Sequence, residues 1–526
     1  MNFKVTVKTD LESKTESIET TFPITHMSAE VNGIIQSITA TTKLDVSDED
    51  YLYLNGYQTW SYTKERKQNE FLKGLQYVPK FLVNKYHFDR YGDYHFHSYP
   101  YSKGKFHGYT YMYIRKGNIY HLIASLNEEP GYTIFNYDNG TLTIERDASG
   151  IISNGKYPLL DLYEATGSEE EVFDGWFKAM HIECITKDKL YGYSSWYNHY
   201  ENISSKTINE DLEGCKKILH ENDLFQIDDG WQPCTGDWLE CDSTKFPNGM
   251  KYETDKIHEA HFKAGLWVSP FLASVNSKLV TEHPDWLLKV DNKPWFVGCN
   301  WNGAYALDID NKDVVNYIRQ VFKRIFDEWN FDLVKLDFLY AAAPFGTSTE
   351  TRSARMSRAI KLLREVCGNH LVLGCGVPFS NTLGIFEYNR IGCDVGLDWD
   401  DVWYMHAFHR ERVSTKHSLA NTIFRRQINH RGYLNDPDVI FIRSENCKLT
   451  DEEKHKLNTI DALLGGVFLT SDNPSNYTDE QIEKYNYYRH LSTATNIHTS
   501  MNGSVIQIDY ELDGKKESFS LDTSIL

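Results

Sequence analysis

Short apolar runs broken by turn formers dominate the first part of the chain. Phe3–Thr9, Ser17–Phe22, Val31–Val46, Tyr51–Leu54, Tyr109–Ile114, Ile119–Leu126 and Thr141–Arg146 are β-branched or aromatic stretches. Asn32-Gly33, Asn55-Gly56, Lys116-Gly117-Asn118 and Asp138-Asn139-Gly140 punctuate them as turns. This pattern predicts an all-β domain of the sandwich type over residues 1–180. From Leu190 the pattern changes to short apolar strands alternating with helical periodicity. Tyr191–Trp196, Leu224–Asp229, Ala264–Phe271, Leu333–Phe338, Leu371–Gly376, Arg390–Val395, Gly432–Asp436 and Gly466–Asp472 are the strand-like runs. Val314, Ile318, Val321 and Ile325 recur at helical spacing within Asp313–Trp329, and helices are further predicted near Ala354–Cys367, Asp451–Leu464 and Glu480–Ser492.

Eight strands with intervening helices predict a (β/α)8 barrel of the TIM type over residues 181–494. A doubly wound sheet is the structural rival, but no Gly-rich fingerprint follows the first strand. Gly374-Cys375-Gly376 lacks both a third glycine and a helix start, so no cofactor loop is expected there. Residues 495–526 read as two or three strands, too few to stand alone. The fold class is therefore multidomain, α+β and α/β: a β-sandwich, a barrel and a short C-terminal β segment.

Length agrees, since 526 residues exceed one ordinary domain. A net charge of −19 makes nucleic acid and anionic membrane poor partners. There is no apolar run long enough to span a bilayer, and MNFKVTVKTDLESKTES lacks the apolar centre of a signal peptide. Nine cysteines, an odd number without CxxC spacing, predict reduced thiols and a cytoplasmic location. On that reading the sequons at Asn139, Asn202, Asn476 and Asn502 are chance matches. Tyr, Phe and Trp are abundant, which suits sugar stacking and β-sheet cores equally. His95 and His97, read as i and i+2 on a strand, are expected to be surface residues, and no metal or cofactor is expected anywhere.

Candidate chemistry gathers at the C-terminal ends of the predicted strands. Lys335 and Asp337 end the fourth strand two positions apart, so a strand would point both the same way. Arg390, Gly392 and Asp394 would share a face of the sixth. Either pair can be a structural ion pair. Two carboxylates beside two cations are also the equipment of a retaining glycosidase, with Asp337 as nucleophile and Asp394 as acid/base. A nucleophilic carboxylate must stay ionised, and Lys335 is expected to lower its pKa. Asp228 and Asp229, in Ile227-Asp228-Asp229-Gly230-Trp231, have no His or Cys at ligand spacing and are better suited to sugar hydroxyls than to a metal. Trp196 and Trp267 end the first and third strands, where each is either core or sugar contact. Gly236-Asp237-Trp238 and Asn300-Trp301-Asn302 are loops that could close the same rim, and Gln58-Thr59-Trp60 in the β-domain is not decided by the sequence.

Together, SSWY, FQIDDGWQ, GDWL, GLWVSPF, HPDWL, VKLDF, LGCG, RIGCDV and YLNDPDV resemble the α-galactosidases of glycoside hydrolase family 36, in the clan shared with family 27. The resemblance implies a β-supersandwich, a (β/α)8 barrel and a small β-rich end. It implies a retaining exo-glycosidase that removes terminal α-linked galactose from oligosaccharides, with Asp337 as nucleophile and Asp394 as acid/base. Sugar-binding positions would fall on Asp228, Asp229, Lys335, Arg390, Trp196 and Trp267, with Cys375 lining the pocket and Trp60 approaching from the β-domain. Asp228 and Asp229 would hold O4 and O6 of galactose. The larger tetrameric members carry a Cys-Ser-Gly-Gly-type loop after the fifth strand, whereas this chain reads Gly374-Cys375-Gly376-Val377-Pro378-Phe379, as compact members do. Tetramerisation is therefore not carried over. Relatives acting on α-N-acetylgalactosamine or transferring galactose leave the sugar's 2-position and the acceptor open, and a non-catalytic sugar-binding barrel is the remote alternative.

Overall fold

The structure, a computed structural model, describes residues 1–20 and 22–526. Position 21, inside the predicted run Ser17–Phe22, lies outside the described residues. The N-terminal part is a ten-stranded antiparallel sheet built on two long paired strands, Ile24–Lys43 and Ile152–Gly167. Asn32-Gly33 is not the hairpin turn that the sequence predicts. It lies inside the first long strand, which pairs with Ile152–Tyr163 up to Ile34 and beyond that with Asn2–Thr9 and Thr141–Arg146. Gly33 makes the change of partner at φ +100, where a Cβ would stand 2.4 Å from the Asp10 carboxylate. Asn139-Gly140 does form the tight turn expected of it, joining Thr133–Asp138 to Thr141–Arg146 with φ of 44° and 85°. His95 lies in a turn and His97 just after it, neither on a strand; the His97 ring is tilted against that of His107, which is hydrogen-bonded to Asp93 at 2.7 Å.

The second sheet is entirely parallel. Leu190–Ser194, Leu224–Ile227, Lys263–Val268, Leu333–Leu336, Leu371–Gly374 and Tyr388–Arg390 pair in that order. Tyr388–Arg390 then pairs with Leu434–Asp436, and two residues on, Val439–Ile440 pairs with Val467–Thr470, which returns to Leu190–Ser194. The seventh run is thus split, and its two pieces carry the pairing back to the first strand. All eight predicted runs are present, but the sixth ends at Arg390; Ile391–Val395 is not strand. The expectation that Arg390, Gly392 and Asp394 share a strand face is therefore wrong. Gly392 instead lies against Ser418 and Asn421 of the helix Thr415–Phe424.

Helices connect most neighbours. Asp451–Leu464 starts where predicted because Thr450 and Glu453 form a capping box. Lys312–Lys323 buries Val314, Ile318 and Val321, and the predicted Ile325 falls in the π-helical turn that follows. Between the fifth and sixth strands there is only the short turn Phe379–Thr382. The N-terminal sheet covers this face, with the Tyr111 ring 5.6 Å from that of Phe379 and Phe177 of the helix Glu169–Met180 against Gly432. Burying a large aromatic side chain there contributes roughly 2–3 kcal/mol. The C-terminal residues form an antiparallel three-stranded sheet, Thr495–Asn502, Val505–Leu512 and Lys515–Asp522, that buries Ile506 and Ile508 in the shared core.

The segment after Tyr51–Leu54 matters most for function, because it lies against the loops at the C-terminal ends of the parallel strands. Thr59 N–H donates to Val377 O at 3.0 Å, and Phe379 N–H to Tyr57 O at 3.1 Å. Arg425, fully buried, donates to Thr59 O, Gln58 O, Asn55 Oδ1 and Ile391 O at once. No helix is long and apolar enough to cross a membrane among the described residues.

Candidate active site

Asp337 stands one residue beyond the fourth parallel strand, 7% exposed. Its Oδ2 accepts the Trp267 indole N–H at 3.0 Å and its Oδ1 the Phe338 N–H at 2.8 Å. The chain turns sharply there, with Phe338 at φ +52. A bulky residue in that region is strained and needs surrounding structure to hold it. Burial pushes the Asp337 carboxyl above the ordinary range; Lys335 and the Trp267 hydrogen bond pull it down, and Asp394 adds to the rise. The expectation that Lys335 leaves this carboxylate with a lowered pKa is therefore wrong, because desolvation outweighs the cation. Lys335 spends its ammonium elsewhere.

That partner is Asp228, whose Oδ2 accepts Lys335 Nζ at 2.9 Å, Gln226 Nε2 at 2.8 Å and Ser194 Oγ at 3.3 Å. Burial opposes the charge on Lys335, but Asp228 and then Asp337 more than restore it, and its pKa is raised. Asp229, the next residue, accepts Gln232 Nε2 at 2.6 Å on Oδ1 and Trp301 Nε1 at 2.8 Å on Oδ2. Its pKa is pushed up to about 7 by burial, against the pull of those two hydrogen bonds. The loop residue Trp301 adopts φ +54 to make this contact.

The opposite wall is built on Arg390, 3% exposed, which pairs with three carboxylates. Its Nη1 lies 2.8 Å from Asp394, its Nη2 2.7 Å from Asp438 and its Nε 3.2 Å from Asp436. Asp394 is reached across a loop, and 37% of its side chain is open. Asp438 is fully enclosed, hydrogen-bonded by Tyr197 Oη at 2.5 Å, and pushed up to about 7 by burial with Asp394 and Asp436 adding to the rise against Arg390. One guanidinium thus serves three acids, and burial leaves Asp438 easier to protonate than an ordinary carboxyl. Asp394 remains the open one.

Cys375 is 1% exposed and accepts the Trp60 indole N–H at 3.2 Å. Burial raises the thiol well above its usual range, with Asp337 adding to the shift. Gly376, at φ +58, has no room for a Cβ, which would meet Trp60 at 2.8 Å. Trp60 also lies edge-on to Phe338 at 4.9 Å. Behind it, Glu411 accepts Ser61 Oγ at 2.5 Å and Gln58 Nε2 at 3.1 Å, clamping the N-terminal segment to the loop that carries Asp394. Burial pushes the Glu411 carboxyl to about 7.

The sequence-derived candidates are thus linked, in altered parts, with Asp337 feeling the charges of both Lys335 and Asp394. Trp267 is 2% exposed and gives its N–H to Asp337, so it positions that carboxylate. Trp196, expected to end the first strand, instead opens the short helix Trp196–His199 just beyond it; it is half-buried and edge-on to Tyr200 at 5.3 Å, and the Tyr200 phenol in turn feels the charges of Arg443 and Asp394. Trp238, expected at the rim, is in the core against Trp231 and Trp267. Asp436, Asp438, Tyr197 and Glu411 are not among the candidates read from the sequence. The first two sit in Asn435-Asp436-Pro437-Asp438, after an apolar run, which is the same signal that singled out Asp228 and Asp229.

The melibiase family model matches residues 193–363, from the first parallel strand through the helix after the fourth. The α-galactosidase Mel36A of Lactobacillus acidophilus is 32% identical over 152 residues, which is 27% of this chain and 20% of that protein. The chain aligns with only about a fifth of the length of such curated relatives. The structure of the α-galactosidase TtGalA from Thermus thermophilus with p-nitrophenyl α-D-galactopyranoside superposes with a TM-score of 0.74 at 24% identity, covering 93% of this chain and 98% of that one. Its complex with stachyose gives 0.71 at 25% identity, over 88% and 99%.

Proposed function

Proceeding from a chain related to the α-galactosidases of glycoside hydrolase family 36, we propose that this protein is a retaining exo-α-galactosidase. The parallel ring is read as a (β/α)8 TIM barrel over residues 181–494, the N-terminal sheet as a β-supersandwich over 1–180, and residues 495–526 as a small β-rich end. The observation that carries the reading is the pair of unlike carboxylates at one opening: Asp337 enclosed and held by Trp267, and Asp394 open on Arg390.

Asp394 protonates the glycosidic oxygen while Asp337 attacks C1, giving a β-galactosyl-enzyme; water deprotonated by Asp394 then releases α-galactose. The retaining route calls for the two carboxyl groups to stand about 5–5.5 Å apart when sugar is bound. Asp229, Lys335 and the free lone pairs of Asp228 present hydroxyl-binding groups beneath the ring. When a sugar hydroxyl reaches Asp229 it competes with the Trp301 indole for the same oxygen. Trp196 supplies an apolar face at the rim, Trp60 and Cys375 close one side, and Arg390 holds Asp394 in place. Stachyose, seen bound to the Thermus enzyme, is the kind of oligosaccharide expected as substrate, in a cytoplasmic setting.

Initial rates on aryl α-galactoside, α-N-acetylgalactosaminide and α-glucoside, with Asp337→Ala as the blank, test this reading. Turnover of the galactoside alone, lost in the variant, is the expected result. Turnover of only the N-acetyl sugar would keep the mechanism and change the substrate, and silence on all three would reject the activity.

A further inference from the structure

Away from the candidate active site, a cleft of about 460 Å³ opens between the segment Tyr62–Lys73 and the end of the loop that leads from Asp394. Its walls carry five basic side chains, Lys64, Arg66, Lys73, Arg410 and Arg412, against a single carboxylate among the described residues, Glu70; burial lowers the Lys64 ammonium to about 8. In a chain of net charge −19 such a concentration of positive charge is unusual. Arg412 pairs with Asp400, and no Asp or Glu carboxylate lies within ion-pair distance of Arg66, Lys73 or Arg410 among the described residues. Asp93 and Glu411 act on Arg410 from behind, and Lys64 donates to Leu526 O at 3.0 Å.

The buried donors are also incompletely used. Among the described residues Arg410 Nη2, Arg412 Nε and His417 Nδ1 find no hydrogen-bond partner, although Arg410, Arg412 and His417 are 2%, 9% and 7% exposed. Burial holds His417 well below its usual pKa, so its ring is neutral. Arg412 Nη2 lies 3.4 Å from His417 Nε2 and can only donate, which puts the ring proton on Nδ1. That leaves a third N–H without an acceptor. Buried donors in native proteins are almost always paired, and an unpaired one is costly. Five cations lining a small-molecule-sized cleft, with unused buried donors behind them, call for an acceptor-rich anion.

We propose that this cleft binds a dianionic phosphate group, either free or carried by a small phosphate monoester. Its charge would be met by Lys64, Arg66, Lys73, Arg410 and Arg412, the cations that line the cleft. A neutral sugar would leave the guanidinium groups uncompensated. A planar guanidinium matches phosphate oxygens in geometry as well as charge.

Isothermal titration calorimetry and thermal unfolding of the whole chain at low salt, with inorganic phosphate, a hexose phosphate and a neutral hexose, test the proposal. The expected result is heat and a raised Tm with the phosphates only, weakening as sodium chloride is added. Tighter binding of the hexose phosphate would name the ester as the ligand, and equal binding the free anion; both support the site. Lys73→Glu, at an exposed position away from the active-site carboxylates, should weaken binding about tenfold or more and leave turnover of an aryl galactoside unchanged. Arg66→Gln is the second variant and should weaken binding likewise. No binding of either phosphate, a Tm rise matched by sodium chloride at equal ionic strength, or unchanged affinity in both variants would overturn the proposal. Because every readout is a binding measurement, its failure would leave the galactosidase reading untouched.

Discussion

The two carboxylates at the opening stand on unlike walls. Asp337 leaves the end of a parallel strand, is 7% exposed and has both oxygens fixed by N–H donors. Asp394 sits on a loop, with 37% of its side chain open and one guanidinium on one oxygen. The wall behind Asp337 spreads its donors over several groups, whereas the wall behind Asp394 shares Arg390 among three acids. A nucleophile must hit one carbon and gains from being fixed and dry. An acid/base must pass a proton to the leaving oxygen and then take one from water, and gains from an open position. The contrast is what the proposed roles rest on.

The widest test of that contrast is removal of each carboxylate. Asp337→Ala should lower kcat about 10⁵-fold on every substrate, as loss of a covalent nucleophile does. Asp394→Ala should cost about 10³-fold in kcat/KM on an oligosaccharide and far less on an activated aryl galactoside, whose leaving group needs no proton, while deglycosylation becomes slow for both. Added azide should partly restore the aryl reaction in Asp394→Ala and give a galactosyl azide detectable by mass spectrometry. Equal losses on both substrates, with no azide product, would break the assignment of Asp394.

A smaller effect sharpens the account of the dry wall. Asp337 must be ionised to attack, and burial raises its pKa, so the acidic limb of kcat/KM should lie above the ordinary carboxylate value. Trp267→Phe removes a hydrogen bond that favours the ionised form, so this limb should move to still higher pH, with about tenfold lower kcat at neutral pH. A purely structural role for Trp267 would lower activity without moving the limb.

The smallest expected effect concerns the seam behind Trp60. Glu411 is pushed from 4.5 to about 7 in the folded protein. The folded state therefore holds a proton that the unfolded state has released, and stability falls as pH rises between those values. Glu411→Gln, which has no proton to lose, should flatten that decline by on the order of 2 kcal/mol. Urea unfolding of both proteins across this range is the measurement; parallel slopes would show that Glu411 is not the group responsible.

Much of this was legible in the chain. The strand ends at Asp228, Lys335 and Trp267 could be placed because apolar runs stop abruptly there, and capping at Thr450 fixed a helix start. Asp394 was found for a wrong geometric reason: the run Arg390–Val395 has strand composition, but the chain leaves the sheet at Arg390 and the ion pair closes across a loop. Asn32-Gly33 has turn composition yet serves a strand that changes partners, which depends on distant neighbours. The pairing of Lys335 with Asp228 rather than Asp337, and the sharing of Arg390 with Asp436 and Asp438, also depend on side chains far apart in the chain. Neither the Glu411 clamp nor the basic cleft has a local pattern, since both join segments about 350 residues apart in sequence.

The most direct test of the central claim is to trap the intermediate. The protein would be incubated with a slow fluorinated α-galactosyl fluoride, digested, and the labelled peptide sequenced by mass spectrometry. One fluorogalactosyl group on Asp337, absent from Asp337→Ala, is the predicted result. A label on Asp394 or another carboxylate, or unlabelled protein that nevertheless turns over galactoside, would contradict the account.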